Sequence, residues 1–179
     1  KGTRNAARFV AVFALTFLLF LYVVIPLTSG FWEGMGAWHA EAVSGLLSSV
    51  WGIESTVEGN ILTMEVQGEE VDFLISQLCS GDVEIALLIA LLIAFFDVLL
   101  IWRIVGAIVG TVFLLLMNPV RIGVTLAITK DSGMEAGDFY HTLIFRLFLF
   151  VILVLYYFAW YKVFAKRKCK AWEKLCKKL

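Results

Sequence analysis

Four side chains in a mostly apolar chain have types and positions suited to chemistry: Cys79, Arg121, His141 and Arg146. Cys79 stands in SQLCSGDVEIALLIALLIAFF, residues 76–96, where polar residues give way to an oily run. Arg121 closes the motif Asn118-Pro119-Val120-Arg121, and His141 and Arg146 open the apolar stretch GDFYHTLIFRLFLF. A thiol, a guanidinium and an imidazole are the parts of nucleophilic acyl transfer. The cysteine attacks a carbonyl, a base takes or holds the proton, and a cationic donor stabilises the oxyanion.

Each side chain also has a plainer reading. Ser80 or Gly81 suits an N-cap, and Asp82 and Glu84 suit the first turn of a helix. Unpaired N–H groups at that helix start favour a thiolate. The two carboxylates oppose it, so a reactive Cys79 needs a cationic partner; otherwise it is a small residue at a helix start. Arg121 follows a helix break predicted at Asn118-Pro119. It is either a snorkelling side chain or a functional one, since charge at a membrane boundary is costly. Arg146, inside an apolar run, needs a carboxylate, a carbonyl or water, and Glu84 is the nearest candidate by depth. His141 is otherwise an interface anchor. Asp97 and Arg103 read as a structural pair near the opposite boundary.

The elements that must position these groups are membrane helices. The chain is 61% hydrophobic and 17% charged, against roughly 25% charged in soluble domains. Four spans are expected, about Phe9–Leu27, Val83–Trp102, Ile104–Met117 and Tyr140–Phe164, with Ile122–Ile128 extending the short third or forming a separate helix. Of the 15 basic residues, all but Arg121, Lys130 and Arg146 fall on one side of this arrangement. The positive-inside rule makes that side, with both termini, cytoplasmic. Cys79, Arg121 and His141 then meet at the outer face. The whole of 1–179 is expected to be one membrane domain.

Between the first two spans lies an outer segment of about 31–78. Met35, Trp38, Ala42, Val43, Leu46, Leu47, Val50 and Trp51 recur with helical spacing, which predicts a helix in the membrane interface with His39 on its solvated side. From Ile53 the pattern alternates, predicting strands Ile53–Glu58, Ile61–Val66 and Glu70–Ser76 with turns at Gly59-Asn60 and Gly68-Glu69. The last strand delivers Cys79 to the second span. The fold class is thus a polytopic all-α membrane protein with an interfacial helix and a small outer β-sheet. The tail of about 165–179, KRKCKAWEKLCKKL, reads as a basic amphipathic helix on an anionic membrane, its Cys169 and Cys176 inert. Cys79 has no disulfide partner on its own side. Two distant histidines and one outer cysteine make no metal site, and no cofactor motif is visible.

Taken together, "CSG" at Cys79–Gly81, "NPVR" at Asn118–Arg121 and "FYH" at Phe139–His141 resemble the exosortase/archaeosortase family of membrane cysteine transpeptidases. The preceding VEGNILTMEV and VDFLISQLCSG are also similar to that family's approach to its nucleophile. The resemblance runs over roughly Ile53 to Arg146. It implies an acyl-thioester on Cys79, formed when an exported protein is cut near a C-terminal sorting signal, and transfer to an acceptor such as a lipid. It implies that Arg121 is a proton donor and that His141 or Arg146 is the third catalytic residue, with His141 favoured. Ser80, Gly81 and Asn118 support the site. The chain is smaller than many members. A cysteine protease that only hydrolyses, or a non-enzymatic scaffold or transporter subunit, are the alternatives.

Overall fold

In a computed structural model the chain is described over residues 2–76, 79 and 81–176; side chains at 2–4, 136, 138, 141–146 and 165–176 lie outside the description. Helix α1 (Gly2–Leu19) passes through a π-type turn, Phe20–Val24, into the short α2 (Ile25–Leu27). Pro26 stands in α2 directly after the π-type turn. Helix α3 (Ser29–Leu46) follows at once and ends in a second π-type turn, Leu47–Trp51. Gly52, at φ 65°, makes the left-handed stop.

Three antiparallel strands come next, β1 (Ser55–Glu58), β2 (Ile61–Val66) and β3 (Glu69–Leu74), in the order β1-β2-β3. Their alternation is legible: Leu62, Met64 and Val66 point inward, and Thr63 sits opposite Thr56 and Asp72. The Thr63 hydroxyl donates to Asp72 at 2.6 Å on the outer face. The second turn falls at Gln67-Gly68, both at positive φ, one residue earlier than the sequence suggests.

Helix α4 (Asp82–Ala94), α5 (Leu100–Ser132) and α6 (Met134–Cys176) complete the chain. Among the described residues, three segments are long and apolar enough to cross a membrane: Asn5–Leu27, Leu100–Ser132 and Leu147–Phe164. The expected span Val83–Trp102 is interrupted. Helix α4 has 13 residues, roughly 20 Å of helix, and stops at a turn over Phe95–Leu99. The expected break at Asn118-Pro119 does not occur. Residues Ile104–Met117 and Ile122–Ile128 belong to one helix, α5, of 33 residues with Pro119 inside it. At roughly 50 Å it outreaches a hydrocarbon core of roughly 30 Å.

Helix α5 therefore serves two cores. Along one end, Leu88, Leu92, Leu114, Leu149, Leu153 and Trp160 pack among α4, α5 and α6. Glycines let α6 approach: a methyl on Gly106 would overlap the Trp160 indole, and one on Gly110 would meet Tyr156. Trp160 Nε1 then donates to the Trp102 carbonyl at 3.2 Å, and the Tyr156 hydroxyl donates to the Gly106 carbonyl at 2.6 Å. Along the other end, Ile122, Leu126 and Ala127 pack with Ala40 and Val43 of α3, with Leu47 of the turn that follows it, and with Leu62, Met64 and Val66 of the sheet. Helix α3 is thus clamped between sheet and α5, not lying alone in an interface. Its buried stripe is Trp32, Gly36, His39, Ala40 and Val43, continued by Leu47 of the following turn, rotated from the expected one, and Trp38 and Trp51 are exposed.

Candidate functional site

The seam between the two cores carries the polar cluster. Strand β3 ends at Leu74, and Ile75 continues inward, its N–H bonded to the Asn60 carbonyl at 2.9 Å. Gly36 permits this course, because a methyl there would stand 2.9 Å from the Ile75 carbonyl oxygen. The chain then tightens: the Cys79 N–H donates to the Ser76 carbonyl at 2.9 Å, and the Cys79 Sγ lies 3.7 Å from the Ser76 hydroxyl. Cys79 is half-buried against the core formed by α3, the sheet and Ile122, Leu126 and Ala127 of α5. Gly81, at φ 80° and ψ 20°, turns the chain into α4, a conformation glycine adopts without strain. It is the N-cap, with no side-chain cap; Ser80 lies outside the described residues. The buried Asp82 accepts the Val83 N–H at 2.7 Å, as an acidic first-turn residue should.

Helix α5 brings two donors to this turn. Asn118 and Arg121, one turn apart, are each 1% exposed. Asn118 Nδ2 donates to the Cys79 carbonyl at 2.6 Å, and Arg121 Nη2 donates to the same oxygen at 3.2 Å. The guanidinium is also within electrostatic reach of Glu84 and Cys79. A methyl on Gly81 would come 3.9 Å from the Asn118 side chain and 4.0 Å from Glu84. Cys79, Gly81, Asn118 and Arg121 are therefore brought together, as their motifs suggest. The arrangement fixes the backbone that bears the thiol and sets a buried cation beside it.

His141 and Arg146 lie on α6, but their side chains are outside the described residues. The backbone register is readable. Gly137 faces Thr129, Gly110 faces Tyr156, and Gly106 faces Trp160. This antiparallel pairing sets position 141 level with Thr125 and position 145 level with Arg121. The tail cysteines, Cys169 and Cys176, also fall outside the described side chains.

The sequence pattern does not reveal His39, which it sets on a solvated face. The residue is in fact fully buried, at 0% exposure, with Nε2 3.2 Å from Asn118 Nδ2. Burial pushes its imidazole below the ordinary value of 6.5; the Met35 and Leu115 carbonyls oppose that shift and the Arg121 charge adds to it. A signal is present: Gly36 and Ala40, four apart, mark a face meant for close approach, and His39 lies beside them. The expected pairing of Asp97 with Arg103 is replaced. Asp97 is exposed in the Phe95–Leu99 turn. Arg103 donates instead to the Ile93 carbonyl at 2.7 Å and the Val98 carbonyl at 2.8 Å. The last turn of a helix leaves its carbonyls without backbone partners, and these bonds supply them at the end of α4.

Comparison with curated proteins and with solved structures found no match for this chain. The family model described as Transmembrane exosortase (Exosortase_EpsH) matches residues 4–158. The match covers the first helix, the sheet, the Cys79 turn, α4, α5 and most of α6, so the chain belongs to the transmembrane exosortase family.

Proposed function

We propose that the protein is a membrane-embedded cysteine transpeptidase acting on exported proteins that carry a C-terminal sorting signal. The observation that carries this reading is the double grip of Asn118 and Arg121 on the Cys79 carbonyl, inside a chain of the exosortase family. A nucleophile held by its own backbone loses little freedom when substrate arrives. The Cys79 sulfur attacks the scissile carbonyl as its proton passes to the site, the C–N bond breaks, and the leaving amine takes up that proton, directly or by relay. Arg121 polarises the carbonyl or supplies that proton. An amine or hydroxyl acceptor, a lipid headgroup among the candidates, then attacks the thioester. The thiolate leaves and takes up the acceptor's proton.

Helix α6 supplies the third group. Its register sets position 145 level with Arg121 and position 141 one turn nearer the Gly133 end, and His141 and Arg146 are both candidates. The asymmetry of basic residues supports cytoplasmic termini and an extracytoplasmic site.

The test is intact mass spectrometry of a co-expressed exported protein with a C-terminal helix and basic tail, with the parent enzyme and with Cys79→Ala. Loss of the C-terminal segment that depends on Cys79, with a mass added beyond water, supports transpeptidation. Addition of water alone makes the protein a hydrolase. Processing that survives Cys79→Ala removes the cysteine mechanism and leaves a scaffold or transporter role.

A further inference from the structure

His39 has no place in that scheme, yet it is buried against the residue that holds the nucleophile. Its hydrogen bonding can be assigned. The Cys79 carbonyl only accepts, so the Asn118 atom 2.6 Å away is the amide nitrogen. The flipped amide would press Oδ1 against that carbonyl. The second hydrogen of Nδ2 is then available to His39 Nε2, 3.2 Å away. An amide nitrogen does not accept, so Nε2 is the lone-pair nitrogen and the ring proton sits on Nδ1, which makes no hydrogen bond although the Met35 and Leu115 carbonyls are near the ring.

Pro119 adds a further part. It removes the N–H that would bond the Leu115 carbonyl, and that carbonyl faces the His39 ring. A protonated ring has no acceptor. It would turn to the Met35 and Leu115 carbonyls, and Asn118 would lose its partner. Arg121 on α5 is the charged group facing the ring, with Cys79 and the Glu84 carboxylate beyond it.

We propose that His39 is a positioning residue: the Nε2 lone pair fixes the Asn118 amide, and the amide fixes the Cys79 carbonyl and hence the thiol. Its consequence for catalysis rests on the reading of Cys79 as nucleophile. The positioning itself is measurable on the resting thiol.

The experiment compares His39→Gln with His39→Asn in a Cys169→Ser, Cys176→Ser background, where Cys79 is the remaining thiol. Glutamine carries an amide oxygen to about the place of Nε2; asparagine, one methylene shorter, reaches only about that of Nδ1. The readout is the rate of Cys79 alkylation by a maleimide near neutral pH in detergent micelles. His39→Gln should stay within about twofold of the parent and His39→Asn should depart about fivefold or more, as loss of one hydrogen bond allows. Equal rates in all three, or glutamine departing as far as asparagine, overturns the proposal.

Nitrogen NMR of the parent gives a reading that needs no variant to fold. His39 should show a protonated Nδ1 and a bare Nε2 near neutral pH; the other tautomer, or an imidazolium, overturns it. Substrate processing measured alongside separates the two readings. Processing that tracks the alkylation split supports both. A split without any processing by the parent upholds the positioning and sinks the transpeptidase.

Discussion

Two arginines on one helix end in different roles. Arg103 and Arg121 are eighteen residues apart on α5, five helical turns, so both project from the same face roughly 27 Å apart. Each donates to backbone carbonyls, and between them they hold the two ends of α4. Arg103 takes Ile93 and Val98 at its C-terminal end, where carbonyls would be stranded in an apolar setting. Arg121 takes Cys79 just before its N-terminal end, sharing that oxygen with Asn118. Arg103 is half-buried, and Phe96 lies under its guanidinium at 5.2 Å. Arg121 is buried, with Glu84 and Cys79 in electrostatic reach. The same interaction closes a helix at one end and presents a thiol at the other. The difference lies in the residue that owns the gripped carbonyl: an aliphatic side chain in one case, a cysteine in the other.

The comparison breaks most visibly under substitution at the two arginines. Arg121→Ala should lower Cys79-dependent processing by roughly a hundredfold or more, the size seen when a cationic or oxyanion donor is lost. Arg103→Ala should leave processing within about threefold and cost about 2 kcal/mol of stability, the worth of charge-assisted bonds to carbonyls. Processing rates and unfolding in mixed micelles check both. Equal losses of activity would erase the distinction. Asn118→Ala sharpens it: the Cys79 carbonyl keeps Arg121 but loses its shorter bond, and processing should fall about tenfold.

A smaller effect should come from Gly81→Ala. It forces a side chain into φ 80° at the site end, costing about 1 kcal/mol in stability, with a matching loss of rate. The mildest expected change is with pH. Burial holds the His39 imidazole below 6.5, so between that lowered value and 6.5 the unfolded chain binds more protons. The stability His39 contributes is therefore full above 6.5 and falls as pH is lowered below it. His39→Gln should flatten that slope in a micelle unfolding series; an unchanged slope would show that His39 is not its source.

Sequence patterns are legible where a residue's near neighbours decide the outcome. The strand Ile61–Val66 can be read because alternation is local, and the start of α4 can be set at Ser80 or Gly81 because the polar-to-apolar change is abrupt. Pro119 misleads. Proline removes one backbone bond, and here the packing of α5 against α3, α4 and α6 carries the helix across that gap. His39 misleads for the same reason, since the face it covers is formed by α5 and the sheet, remote in sequence. The Arg103 bonds are hidden because α4 ends early, which no composition signal marks.

The sequence by itself determined a multi-pass membrane protein of the exosortase family and three motifs, around Cys79, Arg121 and His141, because hydropathy and short spacings are properties of the chain alone. Only the tertiary structure decided that Asn118 and Arg121 grip the Cys79 carbonyl, and that a buried histidine stands behind them. Hydrogen bonds across 42 and 79 residues depend on how helices pack, and the residues that meet there carry no mark of one another in the sequence.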